Sequence, residues 1–291
     1  SRKVIFASDC CAVPTVRDWH FPPNDYGRTP DRDNERETWL NSRERTWKHL
    51  MARPYVIGCY QWDAVEHRGE AAWPMICSKS GTIDLFLQKK SGFYQNKAYW
   101  TDELMVHLNT HWNFTGMDGS ERPVCVYTNC EAVELFLNGE SLGKKEVSLD
   151  TECRATWEVP YAAGELKAVV NGAEDILCTT GKAAEIVLTA DKAAFQADGL
   201  DVIQVEVELR DAEGRLTAKD EDIKYQLLGD AVILGIENGI PVDLTPYSEK
   251  HRTTKQGRAI VYLRAGTLAG DVTLYAFTAS GLRSSITLGQ G

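Results

Sequence analysis

From residue 121 to the C-terminus the chain is written almost entirely in short apolar runs that end in turns, and this confines it to antiparallel sheet. PVCVYTN, VELFLNGESLG and ELKAVVNG close on Asn or Asn-Gly, residues that accept the left-handed backbone of tight hairpin turns. From Ala184 the pattern resumes with EIVLTAD, VIQVEVELRDAEGR, KYQLLG, AIVYLRA and DVTLYAFTASG. Strands at roughly 10-residue spacing with Gly, Asp and Asn between them are those of β-sandwiches. Gly116-Met117-Asp118-Gly119 and Thr179-Thr180-Gly181-Lys182 read as linkers. We expect a β-sandwich domain over 119–182 and an immunoglobulin-like β-sandwich over 183–291.

The first 118 residues differ in texture. Seven of the eight tryptophans precede residue 113, the exception being Trp157. KVIFAS (residues 3–8) reads as a buried strand ending at Asp9, and residues 20–36, rich in Pro, Gly, Asp, Asn and Arg, as a long loop. Trp39, Leu40, Trp47, Leu50 and Met51 recur at helical spacing, which predicts a helix over 36–52. A strand over 54–62 follows, then a helix over 93–106 built on Phe93, Tyr94, Tyr99, Trp100, Leu104 and Met105. This order is that of two βα units, about a quarter of a (β/α)8 barrel. The expected fold class is therefore multidomain: an α/β barrel portion followed by two all-β sandwiches.

Charge narrows the choice of partners. Residues 1–120 hold 15 Lys+Arg against 15 Asp+Glu, and residues 121–291 hold 17 against 27, so the net −10 lies wholly in the second part. An acidic surface of this kind argues against nucleic acid and against anionic membrane. No apolar run is long enough to span a bilayer. The eight cysteines lack CxxC spacing, and several sit inside apolar runs. They read as free, buried thiols in a reducing, cytoplasmic setting. No metal or cofactor is expected. The chain opens on Ser1 without an initiator Met, which reads as a piece of a longer protein.

Chemistry concentrates between Tyr55 and Trp112. The run Tyr55–Tyr60 ends in Gln61-Trp62 and gives way to a loop carrying Glu66, His67, Arg68 and Glu70. A barrel builds a sugar site by delivering such residues from the C-terminal end of a buried strand. Trp62 offers a ring face for the apolar side of a sugar, or else a core packing residue. Glu66 could hold a sugar hydroxyl through a charge-assisted hydrogen bond, or else pair with Arg68. His107 and His111 stand i, i+4 but have no third ligand nearby and read as structural. Lys89-Lys90 reads as a solvated pair, Cys10-Cys11 as packing, and Asn34-Glu35 as part of a solvated charge run. The sandwiches show no aromatic cluster that would make a sugar-binding face. They read as supports for the barrel or for an oligomer interface, so a homo-oligomer is one expectation.

These segments resemble glycoside hydrolase family 2, in particular its β-galactosidase-like members with extra C-terminal sandwiches. The family's G-x-F-x-W-T-G-F-D-Y-x-G-E stands here as Gly58 to Glu70, with Trp62, Glu66, His67 and Gly69 in register. Trp73-Pro74, Gly81-Thr82-Ile83-Asp84, Lys90 with Trp100, and His107 to Phe114 follow the family order. Val124 to Gly143 keeps its V-x-V-Y-T-N-x-x-x-V-E-L-F-L-N-G-x-S-L-G nearly intact, and residues 236–239 and 256–261 also match.

The resemblance implies a retaining hydrolase acting on a β-galactoside or related oligosaccharide. It places Asp9 at the position of the nucleophilic Glu, with Arg17 eight residues later as in the family, and implies substrate-binding roles for Arg17, Trp62, Glu66 and His67. The acid/base Glu of the family lies before the nucleophile, so it would precede Ser1, and this chain alone is expected to be inactive. Asp for Glu shortens the nucleophile by one C–C bond, about 1.5 Å. A rival reading is therefore a non-catalytic or vestigial carbohydrate-binding scaffold. Ser78-Lys79-Ser80-Gly81 replaces the Asn-x-Lys-Gly segment with which related β-glucuronidases recognise their acid sugar, which disfavours a glucuronide.

Overall fold

The computed structural model describes residues 3–10, 15, 17, 43–114 and 116–291. The chain divides after Thr179 into two compact units. It is mostly sheet, with two helices among the described residues.

The first unit opens with β1 (Ile5–Cys10), α1 (Arg43–Met51) and β2 (Val56–Gln61). β1 and β2 run parallel, the arrangement a long crossover connection permits. Ala7 pairs with Cys59 and Cys10 with Gln61, so β1 uses one more residue than β2 across Ser8 and Asp9. The ladder continues past β2, where the Trp62 N–H donates to the Cys10 carbonyl at 2.8 Å. The sheet is apolar yet open: Val4, Ile5, Phe6, Ile57 and Tyr60 are all exposed.

The helix α2 (Ser91–Trp100) is tied to this pair by amides. Asn96 Nδ2 donates to Gln61 Oε1 at 2.7 Å, Gln61 Nε2 returns a bond to Asn96 Oδ1 at 3.0 Å, and Trp47 Nε1 donates to the same oxygen at 3.2 Å. The second helix departs from the bounds predicted from spacing. Of the 36–52 helix, Arg43–Met51 is helical and residues 36–42 lie outside the described residues. The second helix runs over 91–100 and not 93–106, because the apolar residues beyond Trp100 are claimed by a sheet. Met105 N–H donates to Asn129 Oδ1 at 3.0 Å, and β3 (Val106–Leu108) pairs antiparallel with the strand that follows. Tertiary pairing overrides the helical spacing there.

β4 (Glu121–Thr128), β5 (Ala132–Leu137), β6 (Glu140–Glu146), β7 (Arg154–Pro160), β8 (Glu165–Val170) and β9 (Ala173–Cys178) complete the unit. They form sheets of order β3-β4-β7 and β6-β5-β8-β9. β8 alternates buried and half-buried positions without a break, as a strand with one core face must. Val124, Leu135, Trp157 and Leu166 fill the core, each buried side chain of this size contributing about 1.5–3 kcal/mol. Leu108, Trp112 and Phe114 join the same core from before residue 118. Asn138 and Gly139 turn β5 into β6 with φ of 51° and 84°. Asn138 also accepts the Glu165 N–H at 2.8 Å, which pins the start of β8.

The second unit contains β10 (Glu185–Ala190), β11 (Ala194–Phe195), β12 (Val202–Arg210), β13 (Asp222–Leu228), β14 (Ala231–Glu237), β15 (His251–Thr253), β16 (Arg258–Ala265), β17 (Gly270–Thr278) and β18 (Arg283–Gln290). Its sheets are β10-β12-β16-β14 and β11-β18-β17-β13-β15. Ile203, Val205, Val207 and Leu209 alternate inward along β12 against Ile223, Tyr225 and Leu274. The Glu237-Asn238-Gly239 segment is a buried polar knot. Glu237 Oε1 accepts the Asn238 and Gly239 N–H groups, its Oε2 accepts the Tyr247 hydroxyl, and Asn238 Nδ2 donates to Asp243 and to the Thr253 carbonyl.

Asp211 fastens the start of this unit. Its carboxylate accepts from the N–H groups of Gly181, Glu213 and Arg215 and from the Arg215 guanidinium. Burial alone would raise it, but these donors hold it down to about 2. The folded value lies below the ordinary carboxylate value, so its contribution to stability is complete above about pH 4 and is lost as pH falls toward 2. Asp211→Asn should lower the thermal midpoint of the chain at pH 7. The gap to the parent should close in scans taken at successively lower pH; a gap independent of pH would contradict this role.

Candidate active site

Parallel pairing brings the C-terminal ends of β1 and β2 to one edge. Asp9 is the last residue but one of β1, and Trp62 directly follows β2. The backbone of Asp9 is part of β1; its side chain lies outside the described residues. Asn34-Glu35 and Cys11 also lie outside them.

Beyond β2 the chain runs from Trp62 to Lys90 with only isolated bridges, such as Val65 to Ile83 and Arg68 to Cys77. Buried charge fixes this loop. Lys90 Nζ donates to Glu66 Oε1 at 2.7 Å and to the Lys79 carbonyl at 2.9 Å, and both charged side chains are closed to solvent. Arg17 Nε donates to Asp84 Oδ2 at 2.6 Å, also out of solvent, and the guanidinium lies over the Phe86 ring at 4.8 Å. Asp84 Oδ1 accepts the N–H groups of Phe86 and Gln88. At Gly81 a Cβ would run into the backbone nitrogen of Glu66 and stand 2.7 Å from the Ile83 carbonyl oxygen. Only glycine permits that approach of the two loop limbs.

The expectation that Lys89-Lys90 is a solvated pair is corrected. Lys90 is fully buried because Glu66 neutralises it, while Lys89 lies over the Phe93 ring at 4.7 Å. Glu66 and Arg17, read as sugar-binding residues, are both engaged in buried ion pairs. Lys79 is lowered below the ordinary lysine value, first by burial and then by the charge of Lys90.

The open part of the loop gathers Trp62, Asp63, His67 and Glu70. The Trp62 indole is 40% exposed, and its Nε1 donates to Glu70 Oε2 at 3.2 Å. His67 stands edge-on to the indole at 5.9 Å, with Nδ1 2.8 Å from Asp63 Oδ2 and Nε2 3.7 Å from Glu70 Oε2. Ser78 Oγ lies 3.2 Å from the same Nδ1. A Ser–His–Asp relay needs the hydroxyl and the carboxylate on opposite ring nitrogens, so this is not one. Asp63 was not singled out from the sequence. Its Oδ1 is enclosed and has no partner among the described residues, and the only signal for it was its place next to Trp62.

The remaining candidates are structural. His107 stacks on Tyr94 at 3.4 Å and lies 3.3 Å from Asp175, which burial would raise but which the His107, Leu108 and Ile176 bonds hold below its ordinary value. His111 packs on Phe114 at 4.3 Å. Among the described residues no three His, Cys, Asp or Glu side chains gather as a metal site. Burial, then Cys10, push the Cys59 thiol up to about 12, so it is protonated at neutral pH and no nucleophile.

The first unit thus sets a parallel strand pair, with an aromatic and carboxylate-rich loop at its C-terminal edge, ahead of paired antiparallel sheets. Residues 186–287 match the model of glycoside hydrolase family 2 C-terminal domain 5, and residues 119–174 match a domain of unknown function. The beta-galactosidase BoGH2A of Bacteroides ovatus is 33% identical over 258 residues, covering 85% of this chain and 30% of that protein. A putative beta-glucuronidase of Formosa agariphila is 31% identical over 259 residues, covering 80% and 25%. A beta-glycosidase structure from Bacteroides vulgatus superposes with a TM-score of 0.84 at 26% identity, over 98% of this chain and 41% of that one. A family 2 member from Bacteroides cellulosilyticus gives 0.83 at 28% identity, over 99% and 39%. The chain belongs to glycoside hydrolase family 2. It spans between a quarter and a third of the length of these two curated relatives.

Removing Lys90 tests the anchor. Lys90→Met leaves Glu66 as a buried, uncompensated charge and should destabilise the chain by about 3–5 kcal/mol. Glu66→Gln with Lys90→Met should recover most of that loss in urea titrations followed by tryptophan fluorescence. Equal losses in the single and double variants would show that the pair does not anchor the loop.

Proposed function

We propose that this chain supplies the C-terminal part of the active site of a retaining β-glycosidase acting on terminal β-D-galactosides. β1 and β2 are read as the last two strands of a (β/α)8 barrel, with Asp9 as nucleophile and an upstream Glu, in a segment outside this chain, as acid/base. The observation that carries the reading is the parallel pairing that sets Asp9 and Trp62 at the same C-terminal edge, the side on which such barrels build their sites. The exposed apolar residues of both strands support it, because in a closed barrel the opposite strands and the outer helices would cover them.

In this reading Trp62 stacks on the sugar ring, Glu70 accepts a hydroxyl, and His67 is held by Asp63. Glu66 and Arg17 act at one remove, by fixing the loop through Lys90 and Asp84. The galactoside is favoured by the resemblance to β-galactosidases and by the 33% identity to a beta-galactosidase over most of this chain.

The test uses the product of the complete open reading frame with nitrophenyl β-galactoside and β-glucuronide. Hydrolysis of the galactoside, lost by at least about 1000-fold in Asp9→Asn, is the expected result. Trp62→Ala should raise KM about tenfold, a stacking contact being worth roughly 1 kcal/mol or more. The 291-residue chain alone should release no nitrophenol. Full activity in Asp9→Asn would remove Asp9 from the chemistry, and preference for the glucuronide would reassign the substrate.

A further inference from the structure

The outward face of the β13–β17–β18 sheet in the second unit has no employment in the reading above. Antiparallel register sets its side chains in rows. Phe277 lies between Lys224 and Arg283, Tyr275 between Gln226 and Ser285, and Thr273 between Leu228 and Thr287. Their neighbours in sequence, Ile223, Tyr225, Leu274 and Ala276, point into the core. The two aromatic residues therefore stand side by side on the solvent face of one strand, flanked by cations and amides. Gln226, Tyr275, Phe277 and Arg283 line a depression of about 490 Å³.

On this face Thr273 and Thr287 bond each other at 3.0 Å, and the remaining polar groups are unused. Among the described residues, the side chains of Lys224, Gln226, Tyr275 and Arg283 make no hydrogen bond or ion pair. The nearby carboxylates are engaged elsewhere, Asp222 with His251 and Glu221 with the Ser280 hydroxyl. The three rows hold no carboxylate at all, although residues 180–291 carry 16 Asp+Glu against 12 Lys+Arg. Two cations without an ion-pair partner, set beside exposed rings on an acidic unit, are complementary to an anion. Exposed aromatic rings beside amide and guanidinium donors are the chemistry that holds a pyranose, ring face on ring face and hydroxyls on the donors.

We infer that this face is a second, non-catalytic site that binds an anionic saccharide chain. Tyr275 and Phe277 stack on sugar rings, and Lys224 and Arg283 hold the acidic groups. The choice of a saccharide gains from the glycosidase reading, but the site stands on a different unit and its test reads binding without turnover.

The test is electrophoresis of the whole chain through native gels containing polygalacturonate, a sulfated galactan or a neutral galactan. Retardation by at least one of the two anionic polymers and little by the neutral one is expected. The anion that retards identifies the acid group as uronate or sulfate. Tyr275→Ala/Phe277→Ala and Lys224→Gln/Arg283→Gln should each weaken binding about tenfold or more, with thermal midpoints unchanged. Retardation that survives both double variants, or that is equal in the neutral gel, would overturn the inference. So would absence of retardation in every gel, or a dimer in sedimentation that Lys224→Gln/Arg283→Gln dissociates, which would assign the face to a second copy. Binding without hydrolysis by the complete enzyme would leave this site standing while removing the glycosidase reading, and hydrolysis without binding would do the reverse.

Discussion

A buried ammonium on a buried carboxylate, Lys90 on Glu66, is the contact on which the geometry of the first unit turns. Lys90 is the N-cap residue of α2, so one salt bridge joins the loop after β2 to the helix that follows it. The segment has no strand or helix, and its backbone bonds, such as Glu66 N–H to the Ile83 carbonyl and Lys90 N–H to the Thr82 carbonyl, are scattered. Taking two charges out of water is costly unless they meet with good geometry, and here they meet at 2.7 Å with the Lys79 carbonyl as a further acceptor. Arg17 and Asp84 repeat the device on the other limb. Buried charge thus does for this loop what apolar packing does for the sandwiches. It specifies one arrangement, because any other leaves an ion unpaired away from water.

The sandwiches are held differently. Their cores come from strict alternation along strands such as β8 and β12, and that term is indifferent to small changes of register between units of the pattern. Register is fixed instead by polar residues at the turns. Asn138 ties the β5–β6 turn to β8, Asp211 ties the 211–215 turn to Gly181, and Glu237 and Asn238 gather Tyr247, Asp243 and Thr253. Two of the family-like segments in this half of the chain carry such knots, at Asn138 and at Glu237-Asn238. A buried polar group left without its partner costs about 1–3 kcal/mol, which is reason enough for such segments to be distinctive.

What could be read in the sequence divides along the same line. Strands were legible because period-two alternation and Asn-Gly turns are local. Helix bounds were less so: the apolar residues after Trp100 fit a helical stripe as well as they fit β3, and only pairing with β4 decides. Lys89-Lys90 looked solvated because nothing local marks Glu66, 24 residues earlier, as the partner. The aromatic face at Tyr275 and Phe277 was missed for the same reason. Two aromatics at i, i+2 look unremarkable in one strand, and the cations beside them come from β13 and β18. Of the candidate site, the strand, Trp62 and the charged loop were legible, while the roles within the loop were set by burial.

The Asp at position 9 deserves weighing against its backbone. A shorter side chain alone would hold a nucleophilic carboxylate about 1.5 Å short of where a Glu reaches, and misplacement by about 1 Å can cost roughly 100-fold in rate. Yet Asp9 lies in the stretch where β1 has one residue more than β2. An extra residue of this kind bends a strand and redirects the side chains it carries, and such irregularities recur beside active sites. Side-chain length and backbone path are therefore not independent here. Under the proposed reading, the quantity that must be conserved is the separation of the two catalytic carboxylates, about 5–5.5 Å in a retaining enzyme. A strand with an added residue and a side chain with one fewer methylene is one way to conserve it. Substituting Glu at position 9 would then overshoot, and the same substitution would restore the reach if the strand path were that of a Glu enzyme.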